Sequence, residues 1–376
     1  MQVQVQVQVQ VQVQVQVQVQ VSAPVANAGR IGSMSPKAGR TRSFAGILPV
    51  VATSGRWHGL WAWHDRDMTE RLMLLDAASL YFRAFYGVPD TVRAPNGTPV
   101  NAVRGFLDII ARLVTEFRPT HLVACWDDDW RPQWRVDLIP SYKAHRVAAT
   151  TAGTDVEETP DLLDAQIPVI RETLHALGIC ILGAPDHEAD DVVGSLARQA
   201  DVPVDIVTGD RDLFQLVDDA RGARVIYTAR GMSKLELVTD EVVRSKYGID
   251  PGQYADFAVM RGDASDGLPG VAGVGEKTAA NLLREYGDLA GIVAAAGDSS
   301  IPMSASLRLK IKAADAYLAV APKVVEVVPD LGFLPFDARI RPLAAEQRAA
   351  MERLTEQWGL GGSAKRVMEA LDQAAG

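Results

Sequence analysis

The chain has 376 residues, 48% of them hydrophobic and 23% charged, enough apolar material to bury a large core in one or two globular domains and too much for a mini-protein. Lys and Arg total 38 against 47 Asp and Glu, a formal charge of −9, which argues against nonspecific coating of nucleic acid unless many of the acids are metal ligands. Cys125 and Cys180 lie in apolar runs and read as buried thiols of a reducing cytoplasm; no apolar stretch approaches the ~18 to 20 residues of a membrane span, and no secretory signal opens the chain.

Residues 2 to 21 repeat Gln-Val without a break. The period suits a strand but supplies no turn and no varied core, so residues 1–67 are expected to be a low-complexity tail and linker outside the fold; the bolder alternative is that translation begins at Met68. From Arg71 onward apolar runs alternate with helical patterns: RLMLLD, NAVRGFLDIIARLVTEF, THLVACWD, LLDAQIPVIRETLHALG, ICILG, EADDVVGSLARQA and VDIVTGD. That alternation predicts an α/β core over 68–235, a mainly parallel sheet flanked by helices. After about Tyr227 the pattern turns mostly helical, and 236–376 is expected to be a helical subdomain with terminal elements.

Acids fall where that sheet would end. Asp76 closes RLMLL, Asp127 follows LVACW and Asp210 follows DIVTG, so three predicted parallel strands each deliver a carboxylate at the edge that forms the ligand crevice of open α/β sheets. Any one of them alone would read as a turn former or helix cap. Two compact clusters add to them, Glu188-Ala-Asp190-Asp191 at a helix start and Asp210-Arg-Asp212 past a strand. The helix dipole accounts for one or two such acids. It does not account for the apolar residues crowding both clusters, where unpaired charge would be costly to enclose. A cation is expected among them, and an all-oxygen donor set suits Mg²⁺ or Mn²⁺ rather than zinc, which would want spaced His or Cys.

A third cluster, Asp263-Ala-Ser-Asp266, runs into GLPGVAGVGEKTAANLL. Spaced glycines before a helix starting near Glu276 can present backbone N–H groups to a phosphate. The segment is not a Walker A loop, because Glu276 interrupts the required Gly-Lys-Ser/Thr contiguity and no strand precedes it.

The order of the motifs LLDAASLYFRAF, WDDD to SYKAHR, HEADDVVG, TGDRDLFQL and RGDASDGLPGVAGVGEKTAANLL resembles the bacterial 5′-3′ exonucleases, related to the amino-terminal domain of DNA polymerase I and to flap endonucleases. The resemblance spans about residues 72–290. It implies a PIN-like nuclease core, an arch near 140–165 and a helix-three-turn-helix that grips duplex DNA. It further implies two divalent cations, one on Asp76, Asp127, Glu188 and Asp190 with Asp191 nearby, the other on Asp210, Asp212, Asp263 and Asp266. Lys143 and Arg146 would handle the scissile phosphate and Arg83 would support the substrate strand. Phe82 falls where relatives stack an aromatic on a base, although FRAFY could equally bury it. Gly273, Gly275, Lys277 and Thr278 would clamp the duplex backbone, with K⁺ assisting.

In one respect the chain departs from the pattern: the stretch after Arg146, VAATTAGTDVEETPD, is acidic where relatives are basic and proline-rich. The implied partners are DNA with a 5′ flap, nick or 5′ end and RNA–DNA primer junctions, processed by a monomeric cytoplasmic enzyme alongside a polymerase and a ligase. Two other functions are weighed against this. One is a noncatalytic DNA-junction binder, disfavoured by the full carboxylate set; the other is a PIN-like ribonuclease, which has no need of the duplex clamp.

Overall fold

Alternation along β1 (Leu72–Asp76) organises the molecule: Leu72 and Leu74 point into one apolar core and Met73 and Leu75 into another on the opposite face of the sheet. A strand buried on both faces reads as an unbroken apolar run, and LMLLD is one. The computed structural model describes residues 70–151 and 154–376; the Gln-Val repeat and the expected start at Met68 lie outside them. The remaining strands are β2 (His121–Cys125), β3 (Val147–Thr151), β4 (Thr154–Glu157), β5 (Cys180–Leu182), β6 (Val204–Thr208), β7 (Ala223–Tyr227) and β8 (Glu236–Val238). Six of the eight form one sheet in the order β5-β2-β1-β6-β7-β8, parallel except for the antiparallel edge strand β8.

The strand order reverses direction around β1, with β2 on one side and β6 on the other. Asp76 is level with Cys125 of β2, and Leu75 is level with Val207 of β6. The carboxyl ends of the three central strands therefore finish together at the topological switch point, where doubly wound sheets place their ligands. Asp76 caps the helix Ala77–Gly87 by accepting from the Ser79 backbone N–H, and Glu188 with Asp191 forms a capping box on the helix Ala189–Gln199.

Beyond β8 the chain is helical, as its pattern predicts. Helices Asp240–Tyr247, Tyr254–Arg261, Glu276–Tyr286 and Leu289–Gly297 share the core on the Leu72 face. Rings of Phe214, Tyr247, Tyr254 and Phe257 interlock at centroid separations of 5.4 to 6.1 Å where these helices meet the sheet. The last two helices, Ala345–Trp358 and Gly361–Ala375, do not stay with that group. They return to the other face, where Val367 and Leu371 join the core of Phe106 and Ile110, and Arg366 pairs with Asp108 at 2.7 Å.

Candidate active site

Three of the carboxylates singled out in the sequence, Asp76, Asp127 and Asp210, stand at or just past the carboxyl ends of β1, β2 and β6. Asp76 is buried; its Oδ1 accepts from Ser79 N–H and its Oδ2 from the Thr208 hydroxyl at 2.7 Å. Asp127 is buried, with Oδ1 accepting from Ala189 N–H at 2.6 Å while Oδ2 has no hydrogen-bond partner. Burial raises the pKa of both, Asp127 strongly, with the charges of Asp76 and Glu188 adding to the rise at Asp127. Asp190 and Asp210 are also pushed well above the ordinary carboxylate range, Asp190 by burial and then by Asp210 and Asp76, Asp210 by burial and then by Asp212, Asp266 and Asp76. Asp212 is pushed up to about 7 by burial and by the charges of Asp266 and Asp263. Burial and neighbouring acids thus disfavour the charge on these five carboxyls, the condition a bound cation relieves.

Cations of the chain itself meet part of that need. Lys143 is buried with its Nζ 3.0 Å from Glu188 Oε1; the Tyr142 hydroxyl donates to the same carboxylate at 2.9 Å, and Arg135 lies 3.3 Å from Oε2. Burial raises the Glu188 pKa, opposed by Lys143 and Arg135. Arg146 pairs with Asp266 at 2.9 Å, and Arg261 with Asp263 at 3.0 Å. These pairings spread the acids: among the described residues no group of three or more His, Cys, Asp or Glu side chains is gathered closely enough to hold an ion as it stands. The donor chemistry nonetheless fits a hard divalent cation, because every candidate ligand is a carboxylate and Asp127 Oδ2 is a buried, unsatisfied acceptor.

Two expectations are corrected. Asp191 is not available as a ligand, because Arg135 holds both its oxygens at 2.7 and 2.8 Å and the Val328 N–H donates to Oδ1 at 3.0 Å. These partners lower its pKa despite burial, so Asp191 is a structural anion that fixes Arg135. Phe82 is not an open stacking platform: only 1% of it is exposed, and its ring lies 5.4 Å from Tyr81 within the core. The exposed aromatic beside it is Tyr86, at 59%.

Arg83 is half-buried, its Nε has no partner, and burial lowers its pKa. The acidic stretch after Arg146 forms a two-stranded antiparallel hairpin, β3 with β4. It is tied down by Arg131, which pairs with Asp155, and by Trp130, which donates to the Asp155 carbonyl. Gly273 adopts φ +69, while Gly275 is extended and caps the helix Glu276–Tyr286, with no atom within 4 Å of where a Cβ would stand. Lys277 is exposed and Thr278 half-buried on that helix's first turn. The loop before it locks onto the hairpin base: the Lys143 N–H donates to the Asp266 carbonyl and the Ser141 hydroxyl to the Gly267 carbonyl. Residues the sequence did not single out are Arg135, Tyr142 and Thr208. Each acts by contact with a carboxylate more than 40 residues away, which no local pattern announces.

Comparison with known proteins identifies the family of the chain. Residues 71–248 match the family model described as 5′-3′ exonuclease, N-terminal resolvase-like domain, and residues 249–348 match 5′-3′ exonuclease, C-terminal SAM fold. A 5′-3′ exonuclease of Streptomyces coelicolor is 59% identical over 300 residues, covering 80% of this chain and 99% of the relative. One from Mycobacterium tuberculosis is 48% identical over 318 residues, covering 82% and 100%. Among solved structures, the bacteriophage T5 D15 flap endonuclease, in a pseudo-enzyme-product complex with DNA and metal ions, aligns with a TM-score of 0.53 at 17% identity over 81% of this chain and all of that one. Its likeness is one of fold. With a mostly parallel sheet ending in carboxylates, a helical domain after it and full-length relatives of this identity, the chain belongs to the 5′-3′ exonuclease family.

Proposed function

We propose that this 5′-3′ exonuclease is structure-specific, hydrolysing phosphodiesters at 5′ flaps, nicks and 5′ ends of DNA and at RNA–DNA primer junctions, with two divalent cations, Mg²⁺ or Mn²⁺. The observation that carries the reading is the set of buried and half-buried carboxyls whose pKa values are raised by burial and, in all but Asp76, by neighbouring acids as well. Asp76, Asp127, Glu188 and Asp190 would hold one ion and Asp210, Asp212, Asp263 and Asp266 the other. Such a pair supplies charge stabilisation to the attacking and leaving oxygens of an in-line displacement. The oxygen of water bonds to phosphorus as the bond from phosphorus to the 3′-oxygen breaks, leaving a 5′-phosphate and a 3′-hydroxyl.

The chain's own cations position the substrate. Lys143 and Arg146, paired directly with Glu188 and Asp266, would exchange those carboxylates for the scissile phosphate once cations occupy the acids. Gly273, Gly275, Lys277 and Thr278 receive the duplex backbone, a contact that positions without reading sequence, with K⁺ assisting at the same loop. The reading includes a monomeric cytoplasmic enzyme working beside a DNA polymerase and a ligase. Among the described residues no helix is long and apolar enough to cross a membrane.

The test is a labelled 5′-flap duplex incubated with Mg²⁺, with Mn²⁺ and with chelator. Release of the flap with either metal and none with chelator is expected. A flap that is bound and never cut under either metal replaces this reading with a noncatalytic junction binder.

A further inference from the structure

Glu276 opens the helix proposed to clamp the duplex, yet its carboxylate is turned toward the acids. Its Oε1 lies 3.4 Å from Arg261 Nη1 and 3.6 Å from Arg211 Nη1. Both arginines belong to the second set of carboxyls. Arg211 stands between Asp210 and Asp212 in the chain, and Arg261 pairs through its other terminal nitrogen with Asp263 at 3.0 Å. The Arg261 side chain is largely buried, and its Nε has no hydrogen-bond partner. Asp212, which burial and the charges of Asp266 and Asp263 push up, is pulled the other way by Arg261 and Arg211, so both guanidinium charges are felt at the metal edge.

A carboxylate is an odd residue for the first turn of a phosphate clamp. It answers the helix dipole, but it repels the backbone phosphates that the turn would receive. The surroundings give the charge a second use. A divalent cation arriving at Asp210, Asp212, Asp263 and Asp266 meets two guanidinium groups of its own sign, one of them already seated on a ligand. Glu276 cancels one of those two charges. It also leaves Arg261 a carboxylate to hold when the cation takes Asp263.

We infer that Glu276 is a positioning residue for the second metal set, drawing Arg261 and Arg211 toward the clamp helix and off the carboxylates that the cation needs. Glu276 does not touch the ion; it acts through the two arginines. The clamp helix and the metal edge are thereby joined by one carboxylate oxygen, from a residue that neither the metal set nor the clamp itself includes. The inference rests on the two-metal reading.

The test uses Glu276→Gln, which keeps the shape and removes the charge. Mn²⁺ binding to the full chain is measured without DNA, from the electron paramagnetic resonance of free Mn²⁺, and affinity for a blunt duplex is measured separately in chelator. One of the two Mn²⁺ binding steps should weaken by about 10- to 100-fold, the usual loss when a partner behind the ligands is removed, while the other step holds. Duplex affinity should hold or rise, because a charge of the phosphates' own sign has gone. Arg211→Gln added to Glu276→Gln should return the weakened step toward the parent value, since it removes the excess guanidinium. The Glu276 side chain is 56% exposed, so the variant folds, and matching melting curves verify it. Unchanged Mn²⁺ binding, equal weakening of both steps, or no recovery in the double variant overturns the inference. So does a loss of duplex affinity, which would make Glu276 part of the clamp's own frame. The two-metal reading fails differently, by an unmodified chain that takes up fewer than two Mn²⁺ ions, and that result removes the inference with it.

Discussion

Lys143 Nζ sits 3.0 Å from Glu188 Oε1, and both side chains are buried at the foot of the hairpin. Burial favours the neutral amine, but the charges of Glu188 and Asp266 outweigh it and the pKa of Lys143 is raised. The lysine is therefore a fixed internal cation, parked among carboxylates that ligate metal in the proposed mechanism.

Lys143→Met would leave Glu188 buried with Tyr142 and Arg135 as its remaining partners. Breaking a buried pair costs ~3 to 5 kcal/mol. Because two partners stay, the expected loss is ~3 kcal/mol, read as a lower urea midpoint, together with a large fall in cleavage. An unshifted midpoint would mean that Arg135 alone neutralises the glutamate.

Asp210→Asn should separate stability from activity. It removes one charge from a buried set in which Asp212, Asp266 and Asp76 all oppose it. In chelator the variant should gain ~0.5 to 2 kcal/mol, as replacement of a strained functional group does, while cutting is abolished and DNA binding is kept. Cleavage at the unmodified rate would remove Asp210 from the metal site.

The same raised pKa values set a pH dependence. Asp76, Asp127, Asp190 and Asp210 are shifted upward and Asp212 reaches about 7. Between the usual carboxylate range and these values the folded chain holds more protons than the unfolded one, so folding stability declines as pH rises. In chelator the melting temperature should fall from about pH 5 to about pH 8. With a divalent cation the fall should disappear, because metal replaces the protons. A melting temperature that rises with pH in chelator would contradict the assigned burial of these acids.

Two glycines of the third acidic segment should respond oppositely to alanine. Gly270 has φ +66, and a Cβ there would lie 2.5 Å from the Gly262 backbone nitrogen, so Gly270→Ala should destabilise by more than ~1 kcal/mol. Gly275 is extended with open space around it. Gly275→Ala should melt within ~0.5 kcal/mol of the parent, and if the clamp assignment holds it should weaken duplex binding. Unaltered duplex affinity would take Gly275 out of the clamp.

Much of this arrangement was legible in the sequence because it is local. LMLL, LVAC and DIVT are short buried segments followed within a few residues by an acid, and both the strands and the placing of Asp76, Asp127 and Asp210 at their carboxyl ends came from that pattern. What escaped depends on distant partners. Asp190 and Asp191 are adjacent and chemically identical, yet only Asp191 meets Arg135, 56 residues away. FRAFY offers three aromatics along one helix, and only the packing of Tyr81 and Trp126 decides that Phe82 lies inside. The hairpin at 147–157 has none of the Asn-Gly or Asp-Gly turn chemistry that announces such structures, and was expected only as an arch of unspecified form.

The return of the helix Gly361–Ala375 to the sheet face opposite the helical domain also governs how the chain can be built and cut. Its Arg366 meets Asp108 across 258 residues, and its apolar stripe covers that of the helix Asn101–Phe117. A fragment ending at residue 348, where the match to the second family model stops, would keep every proposed metal ligand and still expose a stripe of Phe106, Ile110 and Val114 to water. On a ribosome the same stripe waits until the last helix emerges. A chaperone or a second unfinished chain would find its binding surface there, so the carboxylate site is assembled from early residues but made durable by late ones.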